Sequence, residues 1–125
     1  MRPSERNPRG SGDRGYVTAE AAVVIPALVL FAALLVWALM AAAAQIRCVD
    51  AARAGARAVA RSESVEAARA AAREAAPPGA EVELERSGDL WQVRVVAPAP
   101  GPDGLPVRLG ARAAALAEDS VGPPP

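Results

Sequence analysis

The residues whose type and spacing could do chemistry are few. Gly15 is followed after four residues by Glu20, and Glu20 stands at the edge of 24 uncharged, mostly Ala, Val and Leu residues, Ala21 to Ala44. A bare carboxylate at an apolar edge is costly, roughly 2.5–3.5 kcal/mol at a bilayer centre and less near its surface. An opposite charge among packed helices would relieve that cost. The other reading leaves Glu20 in the headgroup layer at a helix N-terminus, where the helix dipole already favours it; Gly15 reads equally as an ordinary helix-start glycine. Cys48 is the sole cysteine and histidine is absent, so Cys/His nucleophiles, metal clusters of those ligands and histidine acid–base chemistry have no material. Glu81, Glu83 and Glu85 alternate along the chain, which suits the outer face of a strand better than a catalytic dyad. The glycines fall in turns, and no phosphate-cradling loop or serine–histidine–acid set is present. Catalysis is not expected, and neither is a cofactor.

Composition narrows the field further. The 125 residues carry 14 arginines and no lysine against 14 acids, so no net basic field points to nucleic acid. The hydrophobic fraction of 52% is mainly alanine, and the aromatics are Tyr16, Phe31, Trp37 and Trp91. Such a chain favours helix and offers few large side chains for a core.

These residues need elements to position them. Residues 1–15 bear Arg2, Arg6, Arg9 and Arg14 among prolines and glycines and predict a disordered, net-positive leader. Ala21 to Ala44 gives a helix of roughly 36 Å, enough to cross a hydrocarbon core of about 30 Å. A chain this short has no core to surround such a helix, and the run is too long for a secretory signal, whose apolar region spans about 7 to 15 residues. Pro26 removes one N–H and predicts a kink or a loosened turn. Four arginines precede the run, and Arg47, Arg53, Arg57 and Arg61 follow it, so charge does not orient it; the short leader favours a cytoplasmic N-terminus.

From Gln45 to Ala60 the residues Ile46, Val49, Ala52, Ala56 and Val59 recur at helical spacing opposite Arg53, Arg57 and Arg61, so one helix is expected over residues 16–60. Residues 61–119 predict a small head. Ser62-Glu63-Ser64 breaks and recaps the helix, and a second helix buries Val65, Ala68, Ala72 and Ala75, with Glu66 and Arg69 one turn apart, up to Pro77. The period then changes to two. Val82 and Leu84 begin one strand, Ser87-Gly88-Asp89 turns the chain, and Trp91, Val93 and Val95 line the next, with Trp91 expected as core. The four prolines and two glycines of Pro98 to Pro106 make a loop, and Val107 to Ala113 predicts a third strand, although Ala111 to Glu118 could also make helix. Residues 120–125 read as a disordered tail. The fold class is α+β: a transmembrane helix continuing into the head, a short second helix and a three-stranded antiparallel sheet.

Glycine, four residues, glutamate and a long apolar helix behind a short positive leader resemble the type IV prepilin signal. More closely, Val17-Thr18-Ala19-Glu20 with Pro26, and the segment from Gln45 to Ala58 with its alternating alanines and arginines, look like the TadE-like minor pilins, or pseudopilins, of Tad/Flp pilus systems, in their actinobacterial style. The resemblance covers Arg14 to about Ala60 well and the head loosely. It implies cleavage by a prepilin peptidase between Gly15 and Tyr16, a free amine at Tyr16, and Glu20 as fifth mature residue pairing with a neighbouring subunit's amine during assembly. Tyr16 departs from the phenylalanine common at that place in major pilins. The implied setting is a cell membrane with the head extracytoplasmic, and the implied partners are other pilin subunits, pilus assembly proteins and the peptidase. Cys48 reads either as a small helical residue or as the site of an intermolecular disulfide. The rival function is an unprocessed single-pass protein whose head binds a partner in an envelope or secretion complex.

Overall fold

The computed structural model describes residues 9–103 and 106–117, with side chains from Arg14 onward among the N-terminal residues. The expectations for residues 1–8 and for the tail at 120–125 lie outside the described residues. Two helices, α1 (Arg9–Ala60) and α2 (Val65–Ala75), precede three strands, β1 (Glu81–Ser87), β2 (Leu90–Pro98) and β3 (Arg108–Leu116). The strands form one antiparallel sheet in the order β1-β2-β3. The chain divides into two compact units, Met1–Val36 and Trp37–Pro125.

In the first unit α1 is helical from Arg9, so it takes in Arg9–Gly15, which the sequence reading placed in an irregular leader. No proline lies between Arg9 and Ile25, and a helix already nucleated in the alanine- and leucine-rich run propagates backward one bond per residue. The helix is continuous across Pro26. That residue removes the bond to the Ala22 carbonyl without ending the helix.

The second unit is the α+β head. Val93 and Val95 of β2 are fully buried and, with Val82 and Ala97, meet Cys48, Ala51, Ala52 and Ala56 of α1 and Ala72 of α2. A smaller cluster joins Ala58, Val59 and Ala68 to the half-buried Leu84 and Trp91. Both helices thus cover one face of the sheet. The buried stripe of α1 runs through Cys48, Ala51, Ala52, Gly55, Ala56, Ala58 and Val59, whereas Ile46, expected on it, is 62% exposed. Small residues decide the phase: a Cβ at Gly55 would lie 2.9 Å from Cγ1 of Val93 and 3.3 Å from Cβ of Ala72, so the sheet and α2 approach α1 where side chains are smallest. On α2, Ala68 and Ala72 are buried as its spacing predicts. Glu66 and Arg69, one turn apart, do not pair; among the described residues Arg61 pairs with Glu63 at 2.8 Å on the surface.

Backbone chemistry explains the joints. Ser62 N–H donates to Val59 O at 3.0 Å and Glu63 N–H to Ala58 O at 3.2 Å, with Ser62 at φ 59°, which is a Schellman ending. Ser64 then caps α2, its Oγ accepting from Ala67 N–H at 3.1 Å. Gly88 takes φ 62° as the first of two residues joining the Ser87–Leu90 pair, the geometry of a hairpin turn that matches strand twist. β3 is a strand through Leu116, so the helical option for its alanines is overruled. Pairing with β2 satisfies its backbone along one edge and half-buries Leu109, Ala111, Ala113 and Ala115.

Ser62 carries the left-handed conformation with a Cβ, which costs roughly 1–2 kcal/mol relative to glycine. Ser62→Gly is expected to stabilise the head by about 1 kcal/mol in urea unfolding followed by circular dichroism, while Ser64→Ala, which removes the α2 cap, is expected to cost about as much.

Candidate processing and assembly segment

Gly15, Tyr16 and Glu20 all lie on α1 in the first unit. A Cβ at Gly15 would meet nothing within 4 Å, and Tyr16 is 76% exposed. Thr18 Oγ1 donates to the Arg14 carbonyl at 2.9 Å, occupying its hydroxyl on the helix itself. Tyr16 and Glu20 are four residues apart and so share a helix face, with Glu20 exposed. Because α1 starts at Arg9, Glu20 lies about three turns from the helix N-terminus. The dipole acts within the first turn, so in this form of the chain it gives Glu20 little support. A helix beginning at Tyr16 would bring Glu20 close to that turn.

Behind the glutamate the apolar side chains have no cover from the described residues of the chain. Val23, Val24, Ile25, Leu28, Val29 and Leu30 are all exposed, and they point around the whole circumference of the helix. The helix is long and apolar enough to cross a membrane, with a mean hydropathy of 2.8 in its most apolar window. Such surface is tolerated only against lipid or other apolar helices.

Cys48 sits elsewhere, fully buried in the head among Ala51, Ala52 and Val93. Burial pushes its thiol up from the ordinary value. The geometry makes it a small core residue, and a disulfide to a second chain would require the core to open. Glu81, Glu83 and Glu85 lie exposed on the uncovered face of the sheet beside Arg94, Arg108 and Arg112, with Arg108 at 3.8 Å from Glu81. Among the described residues no group of three or more His, Cys, Asp and Glu is placed to hold a metal ion.

Two polar contacts of the head are not readable from local sequence. Trp37 Nε1 donates to the Pro100 carbonyl at 2.6 Å, and Gln45 Nε2 donates to the Gly110 carbonyl at 2.9 Å. The signal available was that Trp37 is the only side chain in the apolar run with a strong N–H donor.

A family model described as TadE-like protein matches residues 15–57. The match opens on Gly15 and takes in Tyr16, Glu20, the apolar run and Cys48, so this stretch of the chain is TadE-like, in agreement with the resemblance drawn from the sequence. Membrane association and a Tad pilus context are what that family implies. α2 and the sheet lie beyond the match. No curated protein and no solved structure compared with the chain matches it.

The buried thiol gives a measurable consequence. In the intact protein, iodoacetamide should modify Cys48 at least about tenfold more slowly than after unfolding in urea, because reaction needs both access and thiolate. Equal rates would mean that the helix–sheet interface around Cys48 is open.

Proposed function

We propose that this chain is a structural subunit of pilin type, anchored by α1 in the cell membrane, cut by a prepilin peptidase between Gly15 and Tyr16, and used in a Tad-type pilus. The observation that carries the reading is the coincidence of a TadE-like match beginning at Gly15 with an apolar helix whose side chains are exposed among the described residues. The role is structural, not catalytic.

The physics of the segment fits such a sequence of events. A peptidase acting on the Gly15–Tyr16 bond must first unwind the helix there. Gly10, Gly12 and Gly15 occupy three of the seven residues Arg9–Gly15. Each is less favourable than alanine in a helix by roughly 1 kcal/mol, so local opening is cheap. Cleavage frees a cationic amine at Tyr16 and shortens the helix on the side that bears Glu20. A carboxylate at the apolar edge then gains most from a neighbouring subunit's amine. Ala21, Ala22, Ala32 and Ala33 would let helices approach closely enough for that pairing. In this reading the leader faces the cytoplasm and the head lies on the other side, among other pilin subunits and assembly proteins.

Two substitutions separate processing from assembly. Gly15→Leu is expected to leave the chain at full length in cells that contain the peptidase. Glu20→Ala should be cut normally yet recover about tenfold less of the subunit complex in co-purification, since an interfacial charge pair is lost. Assembly of the Glu20→Ala chain at the wild-type level would favour an unprocessed single-pass protein with a partner-binding head.

A further inference from the structure

The head starts before the apolar run ends. The run extends to Ala44, but the folded unit begins at Trp37, whose indole N–H is bonded to the carbonyl of Pro100 in the loop after β2. Residues 37 to 44 of α1 therefore belong to two environments by sequence and to one by structure. The loop that meets them, Pro98–Asp103, is chemically unusual. Pro98, Pro100 and Pro102 have no N–H, and Ala99 N–H is already given to Val107 O at 2.8 Å. Half the loop's backbone thus makes no demand for an acceptor. Its one charged side chain, Asp103, lines the same groove as Arg47 of α1, together with Met40, Ala43 and Pro77.

A second measure comes from the aromatic residues. Tyr16 and Trp37 are 21 residues apart along α1, a rise of about 32 Å, close to the roughly 30 Å of a hydrocarbon core. Tyrosine and tryptophan concentrate at the two membrane–water interfaces because their rings are amphipathic. The remaining stretch from Trp37 to Ala44 rises about 10 Å, comparable with one headgroup layer.

Resting on the membrane reading above, we infer that the hydrocarbon-spanning part of α1 is Val17–Val36, framed by Tyr16 and Trp37, and that the Pro98–Asp103 loop lies in the headgroup layer on the head side, held there by Trp37. This replaces Ala21–Ala44 as the span. It places Glu20 about one turn inside the hydrocarbon instead of at its edge. A partner charge for that carboxylate then becomes a stronger requirement, and the headgroup layer alone does not supply it. The exposed Leu39 and Met40 lie at the level where an apolar side chain still meets lipid.

The competing spans separate Trp37 in depth. With Val17–Val36 centred on the bilayer, Trp37 lies about 16 Å from the midplane; with Ala21–Ala44 it lies about 7 Å away. The full-length protein carrying Trp91→Phe, in which Trp37 is the sole tryptophan, is reconstituted in phosphatidylcholine/phosphatidylglycerol vesicles containing lipids brominated either near the acyl carbonyl or near the chain end. The fluorescence difference between wild type and Trp37→Phe gives the same reading with Trp91 intact. Stronger quenching by the carbonyl-proximal bromines is expected, and stronger quenching by the chain-end bromines overturns the boundary. For the loop, a fluorophore is attached at Asp103→Cys or, as a control, at Glu66→Cys, each with Cys48→Ala, and challenged with headgroup nitroxide lipid. Quenching at 103 should exceed that at 66 at least about twofold, and equal quenching overturns the loop assignment. A protein that fails to float with vesicles and is quenched by neither lipid would remove the membrane reading itself.

Discussion

An apolar helix with none of the described residues of its own chain packed around it must find cover elsewhere. In α1 the side chains of Val23, Val24, Ile25, Leu28, Val29 and Leu30 face outward in every direction, so lipid or neighbouring helices are part of the environment that this fold requires. The constraint reaches the chemistry directly. Within or beside such surroundings one carboxylate matters more than the many surface charges of the head, because water is not there to screen it. Glu20 is that carboxylate, and a helix beginning at Arg9 withholds from it the dipole that a helix beginning at Tyr16 would offer.

The head solves a different problem with little material. A unit whose buried branched residues, among the described residues, are only Val59, Val82, Val93 and Val95 cannot rely on large side chains. It relies instead on close approach: Gly55 against Val93, alanines at 51, 52, 56, 68 and 72, and a thiol at Cys48 that packs as a small hydrophobe. On the sheet's other face glutamates and arginines meet solvent in adjacent strands. At the rim, Arg86 lies over the ring of Trp91, a half-buried member of the smaller cluster, at 5.8 Å from its centroid.

Much of this was legible in the sequence where the signal is periodic. Spacing of three and four gave Ala68 and Ala72 on α2, and alternation gave Val82, Val93 and Val95 on the sheet. The misplacements share a cause, which is that packing set what local pattern left open. Ile46 is the larger residue, yet the sheet follows the small-residue stripe through Cys48 and Gly55. The third strand, by contrast, formed as its alternation predicted, and the free edge of β2 settled it against the helix that its alanines would also have made. Arg9–Gly15 is glycine-rich, yet it extends a helix nucleated further along. Trp37 could not be assigned from its neighbours, since its partner Pro100 is 63 residues away. The segment Gly15–Glu20 was legible as a motif because its meaning lies in spacing, and the structure adds that these residues are exposed on one helix.

The N-terminus that the chain carries in the membrane separates a processed subunit from an unprocessed one. N-terminal sequencing of the protein purified from the membranes of a cell with an active prepilin peptidase addresses it directly. The mature chain is expected to begin at Tyr16; a chain beginning at Met1 or Arg2 would contradict processing, and one beginning near Gln45 would show that α1 had been removed as a secretory signal.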